Sequence, residues 1–88
     1  MMLRFQWDGL RRGDHILVHD VGTPDLGLRP AMVILVDSTG PRRDIAARYM
    51  DGPGAGRVVR PGRFASHLDP LTAADVGACW RCAGEAAA

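Results

Sequence analysis

Residues Ala31-Met32-Val33-Ile34-Leu35-Val36 form the longest unbroken apolar run of the chain. Val33, Ile34 and Val36 are β-branched, the run is short, and turn-forming residues flank it on both sides. This combination predicts a central β-strand over 31–36 rather than a helix. Pro30 fits at the very start of such a strand, where a missing N–H does least harm. Asp37-Ser38-Thr39-Gly40-Pro41 closes it with a turn cluster. Upstream, residues 20–30 carry Gly22, Gly27, Pro24 and Pro30 and read as a long loop.

Moving outward, His15-Ile16-Leu17-Val18-His19 predicts a strand entered through the Gly13-Asp14 turn. Further upstream, Leu3, Phe5 and Trp7 alternate with polar residues, and a period of two predicts a strand over 3–7. Downstream, residues 44–50 predict another, with Ile45, Ala47 and Tyr49 on one face and Arg48 on the other. Asp51-Gly52-Pro53-Gly54-Ala55-Gly56 is a hairpin loop, and Arg57-Val58-Val59-Arg60 returns from it as a strand. Pro61-Gly62 signals a type II turn before a last short strand at Arg63-Phe64-Ala65. After Asp69-Pro70 the texture changes, and Thr72-Ala73-Ala74-Asp75 opens a short helix or 3-10 turn over about 72–79. The end of the chain is expected to fray.

The chain has 88 residues, 47% of them hydrophobic, with a net charge of +1. That profile excludes a disordered chain and supports one small domain with a thin core. Doubly wound and barrel α/β architectures are excluded by length. No apolar run approaches a membrane span, and residues 1–10 do not read as a signal peptide, so a cytoplasmic setting without membrane attachment is expected. Five or six short strands with turns about every ten residues predict an all-β fold. At this size a small five- to six-stranded SH3-like barrel over 1–70 is expected, because a closed barrel leaves few exposed edges. Residues 71–88 then form a short helical or irregular tail carrying the CxxC motif.

Gly13-Asp14 entering the strand His15-Ile16-Leu17-Val18, a Gly-containing loop, and then Arg29-Pro30-Ala31 before a Val-rich strand form one ordered pattern over residues 11–36. It resembles the start of the MazF/PemK toxin family, SH3-like barrels that cleave RNA as dimers. The resemblance implies a catalytic role for Arg29 and an endoribonuclease activity. The family's Ser or Thr on the next strand has no counterpart in Asp44-Ile45-Ala46-Ala47-Arg48-Tyr49.

All eleven basic residues are Arg, and they are unevenly placed. Residues 41–63 hold six Arg against two Asp, a net of +4, while the segments on either side are acidic. Arg42, Arg43, Arg48, Arg57, Arg60 and Arg63 fall on two adjacent hairpin strands or their turns, and in a barrel they are expected to gather on one side. Clustered guanidinium groups bind phosphates, and Tyr49 or Phe64 offers a stacking ring. The alternative is a solvated surface partly neutralised by Asp44 and Asp51.

Cys79-Trp80-Arg81-Cys82 supplies two thiols at a spacing suited to zinc, while a structural zinc site wants four ligands. His15 and His19 cannot both serve, because four strand residues separate them by about 13 Å on one face. One of them or His67 completes a site, or two chains share one. The alternative is a pair of reduced thiols flanking Trp80, with no cofactor. The residues together predict a non-catalytic small-barrel binding or adaptor module contacting nucleic acid through its Arg-rich hairpin. The competing readings are a MazF-like endoribonuclease and a protein-interaction or oligomerisation module, dimeric or otherwise, with a structural zinc at the CxxC.

Overall fold

The computed structural model describes residues 2–19 and 27–70 together with Ala73, Asp75, Cys79 and Cys82. Along them run a short helix α1 (Arg4–Asp8), strands β1 (His15–His19), β2 (Leu28–Asp37), β3 (Asp44–Tyr49) and β4 (Val58–Val59), a 3-10 turn (Arg63–Ala65) and strand β5 (Ser66–Leu68). The strands form one antiparallel sheet in the order β4-β3-β2-β1-β5, so the fold is all-β. The sheet is not closed by hydrogen bonds between β4 and β5. It nevertheless curls. Val18 of β1 and Val59 of β4 are three ladder steps apart, about 14 Å in a flat sheet, yet both line one cavity of about 240 Å³.

The apolar run at 31–36 lies inside β2, the long central strand, but β2 begins earlier than expected. Pro30 is its third residue, opposite Leu17, rather than its first. A bulge interrupts the strand: Val33 pairs with Ala47, while Leu35 pairs with Ala46. The extra residue reverses the alternation of faces. Before the bulge Arg29, Ala31 and Val33 are buried, and after it Leu35 turns outward. On β3 the bulge leaves Ala46 and Ala47 both buried, and small side chains suit that crowded position. The core contains Met2, Trp7, Leu10, Ile16, Val18, Val33, Ile45 and Tyr49. Fully burying one such aliphatic side chain contributes about 1.5–3 kcal/mol.

Three predicted strands need correction. Residues 3–7 are not extended, because α1 occupies Arg4–Asp8. An alternating pentapeptide satisfies a helix as well as a strand when only one side of it meets the core. Trp7 packs inward, whereas Phe5, placed with Trp7 by a period of two, is 73% exposed. The Gln6 carboxamide accepts the Leu3 N–H at 2.9 Å, satisfying one of the donors left open at the helix start. Arg63-Phe64-Ala65 is a 3-10 turn, and the last strand follows it at Ser66–Leu68. The return strand after the hairpin loop is limited to Val58 and Val59. Strand β1 matches its predicted bounds. Of the predicted 72–79 helix, Ala73 and Asp75 are helical, and the Cys79 N–H donates to the Asp75 carbonyl at 3.1 Å. The rest of that segment, like residues 20–26 of the long loop, lies outside the described residues. No helix among the described residues is long and apolar enough to cross a membrane.

Candidate metal centre

The β1–β5 ladder places two histidines side by side. His67 of β5 lies opposite Leu17 of β1. His19, two residues on from Leu17, is therefore its diagonal neighbour on the same sheet face. Ile16 and Val18 point to the other face, into the core. An outward pair of histidines on a two-strand ladder would ordinarily be wet. Here both are buried, His19 to 5% and His67 to 0% exposure, and Cys79, Cys82 and Asp75 are buried with them.

One imidazole nitrogen from each histidine and the two sulfurs all lie within 4.8 Å of one another. His19 Nε2 is 3.2 Å from Cys82 Sγ and 3.6 Å from Cys79 Sγ, and His67 Nε2 is 3.6 Å from Cys82 Sγ. A tetrahedral zinc ion, with bonds of about 2.3 Å to sulfur and about 2.0 Å to nitrogen, holds sulfur and nitrogen about 3.5 Å apart. These three sulfur–nitrogen separations lie near that tetrahedron edge. The two rings meet edge to face with centroids 5.1 Å apart, and both Nε2 atoms lie beside the sulfurs. The Cys82 N–H points at Cys79 Sγ at 3.5 Å, so that sulfur accepts from the backbone. Neither cysteine forms a disulfide bond.

The charges suit burial. Two thiolates and a divalent cation sum to zero, so a filled site adds no net charge to the interior. Burial, together with the like charge that His19 would carry, pushes the His67 pKa down from 6.5 to about 4, while Asp75 opposes the shift. His67 is thus neutral at pH 7, the state a ligand needs. A sign follows for the metal-free protein. The unfolded chain takes up a proton near pH 6.5 that folded His67 refuses until about pH 4. Stability is therefore full above pH 6.5 and falls as pH drops from 6.5 toward 4. Urea unfolding in the presence of chelator at several pH values measures this slope, and His67→Gln is expected to flatten it.

The sequence motif supplied Cys79 and Cys82, and the fold adds both His19 and His67 from one chain, while His15 is exposed at the far end of β1. The available signal for the second histidine was positional: His19 and His67 become neighbours only through the β1–β5 pairing.

The six arginines of the basic middle do not all converge. Arg42, Arg43, Arg60 and Arg63 line one cleft of about 660 Å³, joined by Arg4 and by the rings of Trp7 and Phe64. Arg43 donates to the carbonyls of Asp8 and Leu10, tying the β2–β3 turn to the end of α1. Arg60 pairs with Asp44 at 2.7 Å. Arg48 is exposed on β3 and Arg57 lies 5.4 Å from the Tyr49 ring, and neither lines the cleft.

Arg29, given a catalytic role by the toxin resemblance, is 4% exposed. Its guanidinium lies 4.1 Å from the centre of the Tyr49 ring and donates to the carbonyls of Asp51, at 2.8 Å, and Pro53. It thereby holds the 51–56 hairpin loop, whose Gly52, Gly54 and Gly56 all have positive φ. At Gly52 a side chain would also meet the Arg29 guanidinium at 3.2 Å. No protein-family model, curated protein or solved structure matches this chain.

Proposed function

We propose that this chain is a zinc-stapled β-sheet binding module, in which His19, His67, Cys79 and Cys82 hold one structural zinc ion. The observation that carries it is the buried set of two nitrogens and two sulfurs within 4.8 Å, a donor set and spacing suited to tetrahedral zinc. Four protein ligands leave no open position for substrate, so the ion's role is to fasten the segment bearing Cys79 and Cys82 across β1 and β5. The sheet order, the 3-10 turn between β4 and β5, and the shared cavity between β1 and β4 support an SH3-like, partly open barrel as the finer description.

Metal analysis of purified protein tests the staple. One zinc per chain is expected, falling to a small fraction in Cys82→Ser and in His19→Ala. Cobalt substitution is expected to give the intense visible bands of tetrahedral coordination with thiolate charge transfer. Metal-free protein that gains no ion on zinc titration, or full zinc content in both variants, refutes it.

A second reading concerns what the module binds. Five guanidinium groups and two carboxylates face one cleft, a net of +3 on a chain whose total is +1. That concentration of charge supports nucleic acid as the partner, with Arg42, Arg43, Arg60 and Arg63 as the contacts. Binding of this kind weakens steeply with salt.

A further inference from the structure

The arginine-lined cleft contains something that phosphate binding alone does not need. Phe64 stands on its wall with 59% of its surface exposed, one of the most exposed large apolar residues of the chain. The Arg63 guanidinium lies 5.2 Å from the centre of that ring. Around it, Arg4 and Arg42 are exposed and form no ion pair among the described residues, and Arg60 shares its charge with Asp44. Arg43, anchored on the backbone of Asp8 and Leu10, fixes the cleft between α1 and the β2–β3 turn before any ligand arrives.

We infer that this cleft is a site for a nucleotide unit: a phosphate held among Arg4, Arg42 and Arg60, and a base laid on Phe64 beside Arg63. The inference rests on the nucleic-acid reading and narrows it. A volume of about 660 Å³ lies in the range of small-ligand sites, about 300–1,000 Å³. An aromatic ring among arginines stacks on a base only if the base has an open face. In a duplex those faces are covered by neighbouring pairs, so the cleft takes a single strand or a free nucleotide and leaves duplex to phosphate contacts alone.

Fluorescence anisotropy at low salt tests it with a short fluorescein-labelled oligothymidylate, alone and annealed to oligodeoxyadenylate, using thymidine monophosphate as competitor. Phe64→Leu keeps the apolar bulk without the stacking ring and is expected to weaken single-strand binding about tenfold, leaving duplex binding unchanged. Phe64→Tyr is expected to retain it. Arg42→Gln should weaken both and lower the single-strand salt slope by about 0.7, while Arg48→Gln, outside the cleft, changes neither. Displacement by thymidine monophosphate assigns the site to free nucleotides as well as strands, and failure to displace assigns it to strands; either supports the inference. Equal effects of Phe64→Leu on strand and duplex, or none on either, overturn it and leave the broader nucleic-acid reading standing. So does a loss with Arg48→Gln matching that with Arg42→Gln. No binding of any probe overturns both.

Discussion

Stripping zinc from the protein with a strong chelator is expected to lower its stability by about 4 kcal/mol when free zinc had stood near a thousand times its dissociation constant. In a domain of this size that corresponds to a fall in Tm of roughly 15–30 °C. The magnitude follows from linkage, because an ion held by four residues of the folded chain has little affinity for the unfolded one. The same side chains explain why the metal-free fold has little in reserve at that face. Without the ion, the polar atoms of His19, His67, Cys79 and Cys82 stay buried, and the sulfur–nitrogen contacts among them no longer share a cation. Cys82→Ser is expected to match the chelated protein and to show no further response to chelator. Calorimetric scans with and without chelator decide the matter, and coincident transitions for the parent protein in the two conditions would sink the staple.

Arg29→Met is expected to cost about 2–3 kcal/mol of stability. The variant keeps an apolar stem over Tyr49 but loses charge-assisted hydrogen bonds, each worth about 1.5–3 kcal/mol, and the stacked cation, worth about 1–2 kcal/mol at a buried ring. The carbonyls of Asp51 and Pro53 sit in an exposed loop and regain water, which keeps the total below the sum of those terms. The 51–56 loop, released from its anchor, is expected to become the first site of proteolytic cleavage. Chemical denaturation with limited proteolysis measures both effects. A variant within about 0.5 kcal/mol of the parent, the usual range for a surface residue, would show that Arg29 is not the anchor of that loop.

Strand β1 was legible because Ile16 and Val18 go to the core while His15 at its entry stays wet, and the Gly13 turn marks where it starts. The centre of β2 was legible from its apolar run, but not its inner geometry. An unbroken run has no alternation to read, so the bulge that reverses its faces left no trace in composition. Ser66-His67-Leu68 hid β5 for the opposite reason. Its first two residues are polar and look wet, yet both are buried, His67 against Cys82 and Ser66 with its hydroxyl donating to the Gly62 carbonyl at 2.9 Å. The α1 segment reads as a strand because five residues with three apolar side chains cannot separate a period of two from one of 3.6. At the candidate site, Cys79 and Cys82 are local in sequence and visible, whereas the histidine pair depends on strand pairing. Arg29 carries its charge inside because an aromatic ring and two backbone carbonyls await it there, all three more than nineteen positions away, where no local pattern points to them.

His19 and Cys82 stand 63 positions apart, with four strands of sheet between the first donor and the last. During synthesis the ribosome releases all five strands of the sheet before it releases either thiol. Early zinc capture by the nascent chain would therefore have only imidazoles to work with, a weak and unselective pair. In the proposed staple the metal would enter last, after the ladder has aligned its histidines, and a cell short of zinc would accumulate a sheet that is assembled but not latched.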